Sequence, residues 1–315
     1  MKSIDAEQVH RICEFSRLID RLAQLHQQPT DEMRDLLLTQ PAAAASPEMN
    51  NSFFIRAAWQ HDRVMGAKII SIIPANSATN LPVIQAVYVL LDGQNGLPLA
   101  AIDGTVMTYY KTAADSALGA RYLARQAVAT MLMVGAGAMA PYLIKAHRAV
   151  RPSISRILLW NRTTRGAVDL AERLNNGEIE VEAVENLANA VKQADLICCA
   201  TRTTAPLIKG QWLRAGTHVD LVGAFTPDMR EVDDQAIRRS RLFVNSRLTT
   251  IGEIGELMIP IKNGVINADD VLADHYDLCQ NKHPGRTSDQ EITVFKNGGG
   301  GHIDLMTARF IYEHS

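Results

Sequence analysis

The chain is poor in aromatic residues, which make up 5% of it, and has no excess of either charge: 32 lysines and arginines stand against 34 aspartates and glutamates. Without a basic stripe, and with few rings on which bases could stack, nucleic acid is not expected as a partner. There are only four cysteines, Cys13, Cys198, Cys199 and Cys279, and their spacing fits neither a metal site nor a disulfide framework. Cys198 and Cys199 are neighbours in an apolar run and read as small core residues. No metal is expected, and such cysteine usage suits a reducing compartment. Long apolar runs are also missing. None approaches the ~20 residues that span a bilayer, so no membrane association is expected. The first residues, with Lys2, Asp5 and Glu7, lack the apolar centre of a secretory leader. A cytoplasmic location is therefore expected.

What is present is 47% hydrophobic residues in a chain of 315, enough for two domains with separate cores. Asp5, with Gln8 three residues on, has the form of a capping box. Val9, Ile12, Cys13, Ile19 and Leu22 follow at helical spacing. A short helix is predicted over residues 31–38. Residues 53–58, 66–73, 84–91 and 97–102 read as strands separated by turn signals, a run of antiparallel structure. From Thr112 the pattern becomes an alternation of helix and strand. Helices are predicted at 113–124, 141–150, 165–175, 187–193, 234–239 and 271–278. Strands are predicted at 130–134, 156–160, 179–183, 196–200, 218–222 and 242–244. Such alternation indicates an α/β fold with a doubly wound parallel sheet. The tail, a strand at 292–295, a glycine turn and a helix at 303–312, is expected to return to the first domain. This places a dinucleotide-binding domain at 115–295, and an α+β domain at 1–114 and 296–315.

The strand Met131-Leu132-Met133-Val134 runs directly into Gly135-Ala136-Gly137-Ala138-Met139-Ala140. This is G-x-G-x-x-A in the strand–turn–helix setting that gives the pattern meaning. Gly135 permits the tight turn, Gly137 lets a pyrophosphate approach the backbone N–H groups at the helix start, and Ala140 allows close helix–strand packing. At the end of the second strand, Trp160-Asn161-Arg162-Thr163 has no acid to bind a ribose 2′-hydroxyl. Asn161, Arg162 and Thr163, with Arg165 nearby, suit a 2′-phosphate instead. The expected cofactor is NADPH, with NADH as an alternative.

These residues resemble the ornithine cyclodeaminase/μ-crystallin family over nearly the whole chain. The likeness includes Gln40-Pro41, Gly66-Ala67-Lys68, Leu81-Pro82 with Gln85, Asp103-Gly104 and Lys111-Thr112-Ala113-Ala114. It continues through Val134-Gly135-Ala136-Gly137, Trp160-Asn161-Arg162-Thr163, Val222-Gly223-Ala224 before Pro227, and Val294-Phe295-Lys296. The resemblance implies a homodimer in which the N-terminal segment and the C-terminal tail form the substrate and dimerisation domain. It also implies one of three chemistries: ornithine cyclodeamination, alanine dehydrogenation, or reduction of cyclic ketimines. Departures from the family pattern separate them. Cyclodeaminase-like and alanine-dehydrogenase-like members carry an Asp where this chain has Phe225. A phenylalanine cannot serve as an acid or base on an amine or water, but it can form an apolar wall beside a ring. The family arginine just after Gln-Pro is replaced by alanine near Ala43, the arginine of Arg-Thr-Ala-Ala by Lys111, and a histidine after Leu-Pro-x by Ile84. The whole is most like the bacterial Δ1-pyrroline-2-carboxylate reductases of the family.

The expected substrate is thus a small cyclic imine with a 2-carboxylate, reduced to proline or pipecolate. Lys68, set among Gly66, Ala67, Ile69 and Ile70, is the first candidate to pair with the carboxylate, since a lysine is rarely buried alone. Arg56 is the candidate fork on the carboxylate, and Lys111 a third cation, expected at the start of a helix. Thr112, Thr201 and Val222 are expected at the cofactor, together with Gly300 and His302 of the glycine turn. Gly299 and Phe225 are expected to line the substrate pocket, and Asp304 to cap the final helix. A μ-crystallin-like protein that binds NADPH and a small ligand without turnover is the rival reading.

Overall fold

The computed structural model describes residues 1–29, 32–40, 50–79, 81–175, 177 and 179–315. The chain divides into two units, one of Met1–Lys111 with Gly300–Ser315 and one of Thr112–Gly299. Among the described residues no helix is long and apolar enough to cross a membrane.

The first unit contains β1 (Lys2–Ile4), α1 (Ala6–Ile12), α2 (Phe15–Leu25), β2 (Glu32–Gln40), β3 (Asn51–Gln60), β4 (Val64–Ile72), β5 (Ile84–Asp92), β6 (Pro98–Asp103), the first part of α3 (Gly104–Leu123) and the C-terminal helix Gly301–Glu313. The Asp5 carboxylate accepts from Gln8 N, and the Gln8 side chain accepts from Asp5 N, which fixes the start of α1. Glu14 accepts from Ser16 N and Arg17 N, so a second cap divides what the periodicity suggested as one helical region.

The strands form one sheet in the order β1-β6-β5-β4-β3-β2, antiparallel except for β1 beside β6. The register sets Asp35, Arg56, Lys68 and Tyr88 in a row across β2 to β5. Because side chains alternate along a strand, Val64, Gly66 and Lys68 share the buried face of β4. The C-terminal helix packs on β3, β4 and α2. Gly66 is required there, since a Cβ would come within 2.6 Å of the Tyr88 hydroxyl.

The second unit carries the rest of α3, then β7 (Thr130–Val134), α4 (Ala140–Val150), β8 (Arg156–Trp160), α5 (Thr164–Leu174), β9 (Glu180–Ala183), α6 (Leu187–Gln193), β10 (Leu196–Cys199), β11 (His218–Leu221), α7 (Asp234–Arg239), β12 (Arg241–Val244), α8 (Arg247–Thr250), α9 (Gly255–Lys262), β13 (Val271–Ala273), α10 (His275–Cys279) and β14 (Thr293–Lys296). The C-terminal helix is α11. All eight strands are parallel, in the order β13-β12-β14-β11-β10-β7-β8-β9. Chain order reverses between β7 and β10, as in a doubly wound dinucleotide-binding sheet. The central strands β10 and β11 are buried at every position; β10 accordingly reads as an apolar run, whereas β11 carries the buried polar residues His218 and Asp220, bonded to Thr293 and His147.

Three sequence expectations are corrected. The helix predicted over 31–38 is the edge strand β2, with Asp31 outside the described residues. Met33, Leu36 and Leu37 imitate a helical stripe, but pairing with β3 from Glu32↔Trp59 to Gln40↔Asn51 decides the conformation. The helix predicted over 271–278 is the strand β13 followed by α10. Asp274 and Asp277 form a capping box that starts the helix only after Asp274. Helix α3 begins at Gly104, nine residues before the predicted start at 113, with the Asp103 carboxylate accepting from Val106 N at 2.7 Å.

Candidate active site

The row of residues across the first sheet meets α3 and α11 in a cluster of charges that is buried at Lys68, Lys111 and Asp304 and exposed at Asp35. Lys68 Nζ donates to Asp304 Oδ1 at 2.9 Å and to Thr108 Oγ1 at 3.4 Å. Lys111 Nζ lies 3.4 Å from the same Asp304 oxygen. Arg56 gives two parallel hydrogen bonds to Asp35, Nε to Oδ1 at 3.1 Å and Nη2 to Oδ2 at 2.7 Å. Lys68 is 3% exposed, Lys111 4% and Asp304 0%, so these charges act in a poorly screened setting. Burial would raise the Asp304 carboxyl, but Lys111, Lys68 and Arg56 outweigh it and hold it down at about 2. Burial pushes Lys68 down to about 8; Asp304 opposes the shift, and Lys111 and Arg56 add to it. Three cations face two carboxylates, Asp304 and Asp35, leaving one positive charge to be matched. Among the described residues, Asp304 Oδ2 and the Tyr88 and Thr307 hydroxyls are buried without a hydrogen-bond partner. Atoms in that condition normally find partners in water or a bound group.

The second unit holds the glycine turn between β7 and α4. Gly135 has φ +108°, and a Cβ there would come 2.7 Å from the Ala200 carbonyl oxygen, so the protein's own backbone demands glycine. Gly137 is different: a Cβ there would meet nothing within 4 Å. Its neighbours in the chain do not require a glycine, whereas a phosphate drawn against the backbone would. Met139, the N-cap of α4, makes no side-chain capping bond, so no side chain of its own occupies the positive end of the helix dipole, where an anion is favoured. These features fit a dinucleotide. The helix is anchored from beneath, where His147 Nε2 lies 3.0 Å from Asp220 Oδ2 and the Cys198 thiol donates to the same oxygen at 3.1 Å.

The remaining predicted residues fall as follows. Ala136 N donates to Asn161 Oδ1 at 3.3 Å, and Asn161 Nδ2 donates to Thr163 O at 2.9 Å, so Asn161 ties the turn to the end of β8. Arg162 and Thr163 are exposed beside it, and Arg165 pairs with Asp169. Ala138 and Met139 complete the turn. Thr201 and Val222 follow β10 and β11, and Phe225 is 59% exposed beyond them. Gly299 and Gly300 have φ of +66° and +138°, and Gly300 is the N-cap of α11.

Three placements change. Asp304 is no cap: it sits one turn inside α11 as the counterion of Lys68 and Lys111. Lys111 and Thr112 lie in the middle of α3, not at its start, and the Thr112 carbonyl accepts from Asn297 Nδ2 at 3.1 Å. His302 is wholly buried, with its ring edge-on at 5.9 Å to that of His26, which caps the end of α2. Ala43 lies outside the described residues. Sequence reasoning missed Asp35, Tyr88 and Thr108. The one available signal was that a lysine inside an apolar strand requires a buried partner, and Asp304 is an acid inside an apolar helix.

Residues 40–315 match the model of the ornithine cyclodeaminase/mu-crystallin family. A Δ1-pyrroline-2-carboxylate reductase of Paracoccus denitrificans is 44% identical over 93% of this chain and 90% of its own. The enzyme of that name from Colwellia psychrerythraea is 34% identical over 99% of each chain. The structure of the Thermococcus litoralis Δ1-pyrroline-2-carboxylate reductase, solved with NADH and L-proline, superposes with a TM-score of 0.88 at 28% identity, covering 100% of this chain and 97% of that one. The chain belongs to the ornithine cyclodeaminase/mu-crystallin family.

Proposed function

We propose that this protein is a nicotinamide-dependent reductase of cyclic imines bearing a 2-carboxylate, forming L-proline from Δ1-pyrroline-2-carboxylate or L-pipecolate from Δ1-piperideine-2-carboxylate. The observation that carries the reading is the buried cluster of Lys68, Lys111 and Asp304, flanked by half-buried Arg56 and its exposed partner Asp35, whose single uncompensated positive charge matches one carboxylate. Lys68 and Lys111 hold the anion, and Arg56 completes the cationic side. Asp304 keeps both lysines oriented in the absence of substrate, so little ordering is left to be done on binding. The bound nicotinamide supplies the hydride that reduces C=N. The imine nitrogen gains a proton in the same conversion, and Lys68, with its pKa held near 8, stabilises charge beside it. Phe225 leaves the second unit without the carboxylate that attack by water or an amine would need, and presents an apolar surface suited to a ring.

The first unit is the substrate-binding domain and the second the dinucleotide-binding domain. Gly135, Gly137 and the first turn of α4 hold the pyrophosphate. Arg162 and Thr163, exposed at the end of β8 with no acid beside them, favour NADPH over NADH. The protein acts as a homodimer. Leu36, Leu38, Phe53, Trp59 and Val87 are 37–54% exposed, and strand alternation puts them on the sheet face opposite Lys68. An apolar face of that kind calls for a partner, and a second copy is the occupant that the symmetry of most soluble oligomers favours.

The test is oxidation of NADPH and NADH in the presence of the two cyclic imines, with ornithine and alanine as controls. Turnover of an imine, without ammonia release from ornithine or pyruvate formation from alanine, is expected. Ornithine or alanine turnover exceeding that of both imines would overturn the assignment. Cofactor binding without turnover of any substrate would make the protein a small-ligand carrier.

A further inference from the structure

A buried carboxylate in the second unit has no place in the chemistry above. Glu231 is wholly buried between the loops that leave β10 and β11. Its Oε1 accepts from both the backbone N–H and the hydroxyl of Thr201, each at 2.8 Å. Its Oε2 accepts from Gly223 N at 2.7 Å and from Ala224 N at 3.4 Å. The two loops are in direct contact: a Cβ on Gly223 would lie 2.0 Å from Thr201 O and 2.2 Å from Thr201 N. Glu231 is itself held, because its backbone N–H and that of Val232 donate to the two oxygens of Glu256, at 2.8 and 3.1 Å. Lys296 Nζ donates to Leu221 O at 2.9 Å and so pins the end of β11 from the neighbouring strand.

The position of this clamp in the sheet gives it a task. A doubly wound sheet is two mononucleotide-binding halves meeting where strand order reverses, with the ligand outside the carboxyl ends of the strands. Here the reversal lies between β7 and β10. The half made of β7, β8 and β9 carries the glycine turn and the ribose-reading segment, so it takes the adenosine side. The half that begins with β10 and β11 is left for the nicotinamide side. The loops bound by Glu231 are the carboxyl ends of those two strands.

We infer that Glu231 is a positioning residue for the nicotinamide half of the cofactor. Through one carboxylate it fixes Thr201, Gly223 and Ala224 in a single arrangement, and with them Phe225. It touches its own chain and not the reacting atoms. The inference rests on the reductase reading only for the identity of the cofactor.

The test compares binding of intact NADPH with binding of its adenosine half, ADP-ribose bearing the 2′-phosphate, by titration calorimetry. In Glu231→Gln an amide NH2 replaces one accepting oxygen and opposes the N–H donors of one loop. Loss of such charge-assisted bonds is expected to weaken NADPH binding about tenfold or more, while the fragment binds as it does to the native protein. Thr201→Val deletes one of the four bonds, and a smaller loss in the same direction is expected. It also carries the test if Glu231→Gln fails to fold. Equal affinity of variant and native protein for NADPH, or an equal fractional loss for NADPH and the fragment, would overturn the inference. Failure of the native protein to bind either NADPH or NADH would overturn the cofactor reading itself and the inference with it.

Discussion

Replacing Lys68 with methionine keeps most of the side-chain volume and removes the charge. The structure allows the two consequences to be sized separately. Lys68 Nζ lies 2.9 Å from Asp304 Oδ1, with both residues almost fully buried. Removing one partner of a buried pair typically costs about 3–5 kcal/mol of stability. Asp304 keeps Lys111 at 3.4 Å, so the lower end of that range is expected, read as a fall in the denaturant midpoint. The effect on catalysis is separate. A buried charge pair with a ligand carboxylate is worth about 2–4 kcal/mol when one side is truncated, so kcat/KM should fall by roughly thirtyfold to a thousandfold. Affinity for NADPH should not change, because the glycine turn and the β8 end belong to the other unit. Steady-state reduction of the cyclic imine together with a cofactor titration gives both numbers. A kcat/KM within threefold of the native value, or a parallel loss of cofactor affinity, would refute the assignment of the anion to this cluster.

Three further outcomes follow from the same geometry. Because the Lys68 pKa is lowered from 10.5 to about 8, its charge is present below about 8 and lost above it. The pH profile of kcat/KM should therefore have a basic limb near 8 that is missing in Lys68→Met. Stability should move in the opposite sense between about 8 and 10.5, since the folded state holds that proton less well than the unfolded chain. Gly135→Ala should destabilise the fold by about 1–3 kcal/mol, through its positive φ and the Ala200 carbonyl. Gly137→Ala, with open space around its new methyl, should leave the melting temperature unchanged and weaken dinucleotide binding; a result with the two variants exchanged would contradict the account of the turn. Arg162→Ala should raise the KM for NADPH about tenfold and leave that for NADH nearly unchanged. Equal changes would show that Arg162 does not read the 2′-phosphate.

Much of the second unit was legible in the sequence because its signals are local. The glycines of the turn, the apolar β7 strand and the missing acid after Trp160 lie within about thirty residues of one another. The antiparallel run of the first unit was legible for the same reason, through alternation and turn residues. Edge strand β2 was not, because three leucines in succession leave periodicity ambiguous and the choice is made by β3. The cluster was half legible. Lys68 announced itself by its apolar neighbours, whereas Asp304, 236 residues away, resembled an ordinary first-turn acid of a helix. Glu231 gave no signal, since its role depends on two loops brought together only by the parallel order of β10 and β11.

The central claim is that a buried, net-positive cluster selects an anionic cyclic imine. The most direct measurement compares kcat/KM of the native protein for Δ1-pyrroline-2-carboxylate with that for 1-pyrroline, which has the same ring and no carboxylate. The account predicts a preference of at least about a hundredfold for the anion. Comparable values for the two imines would contradict it.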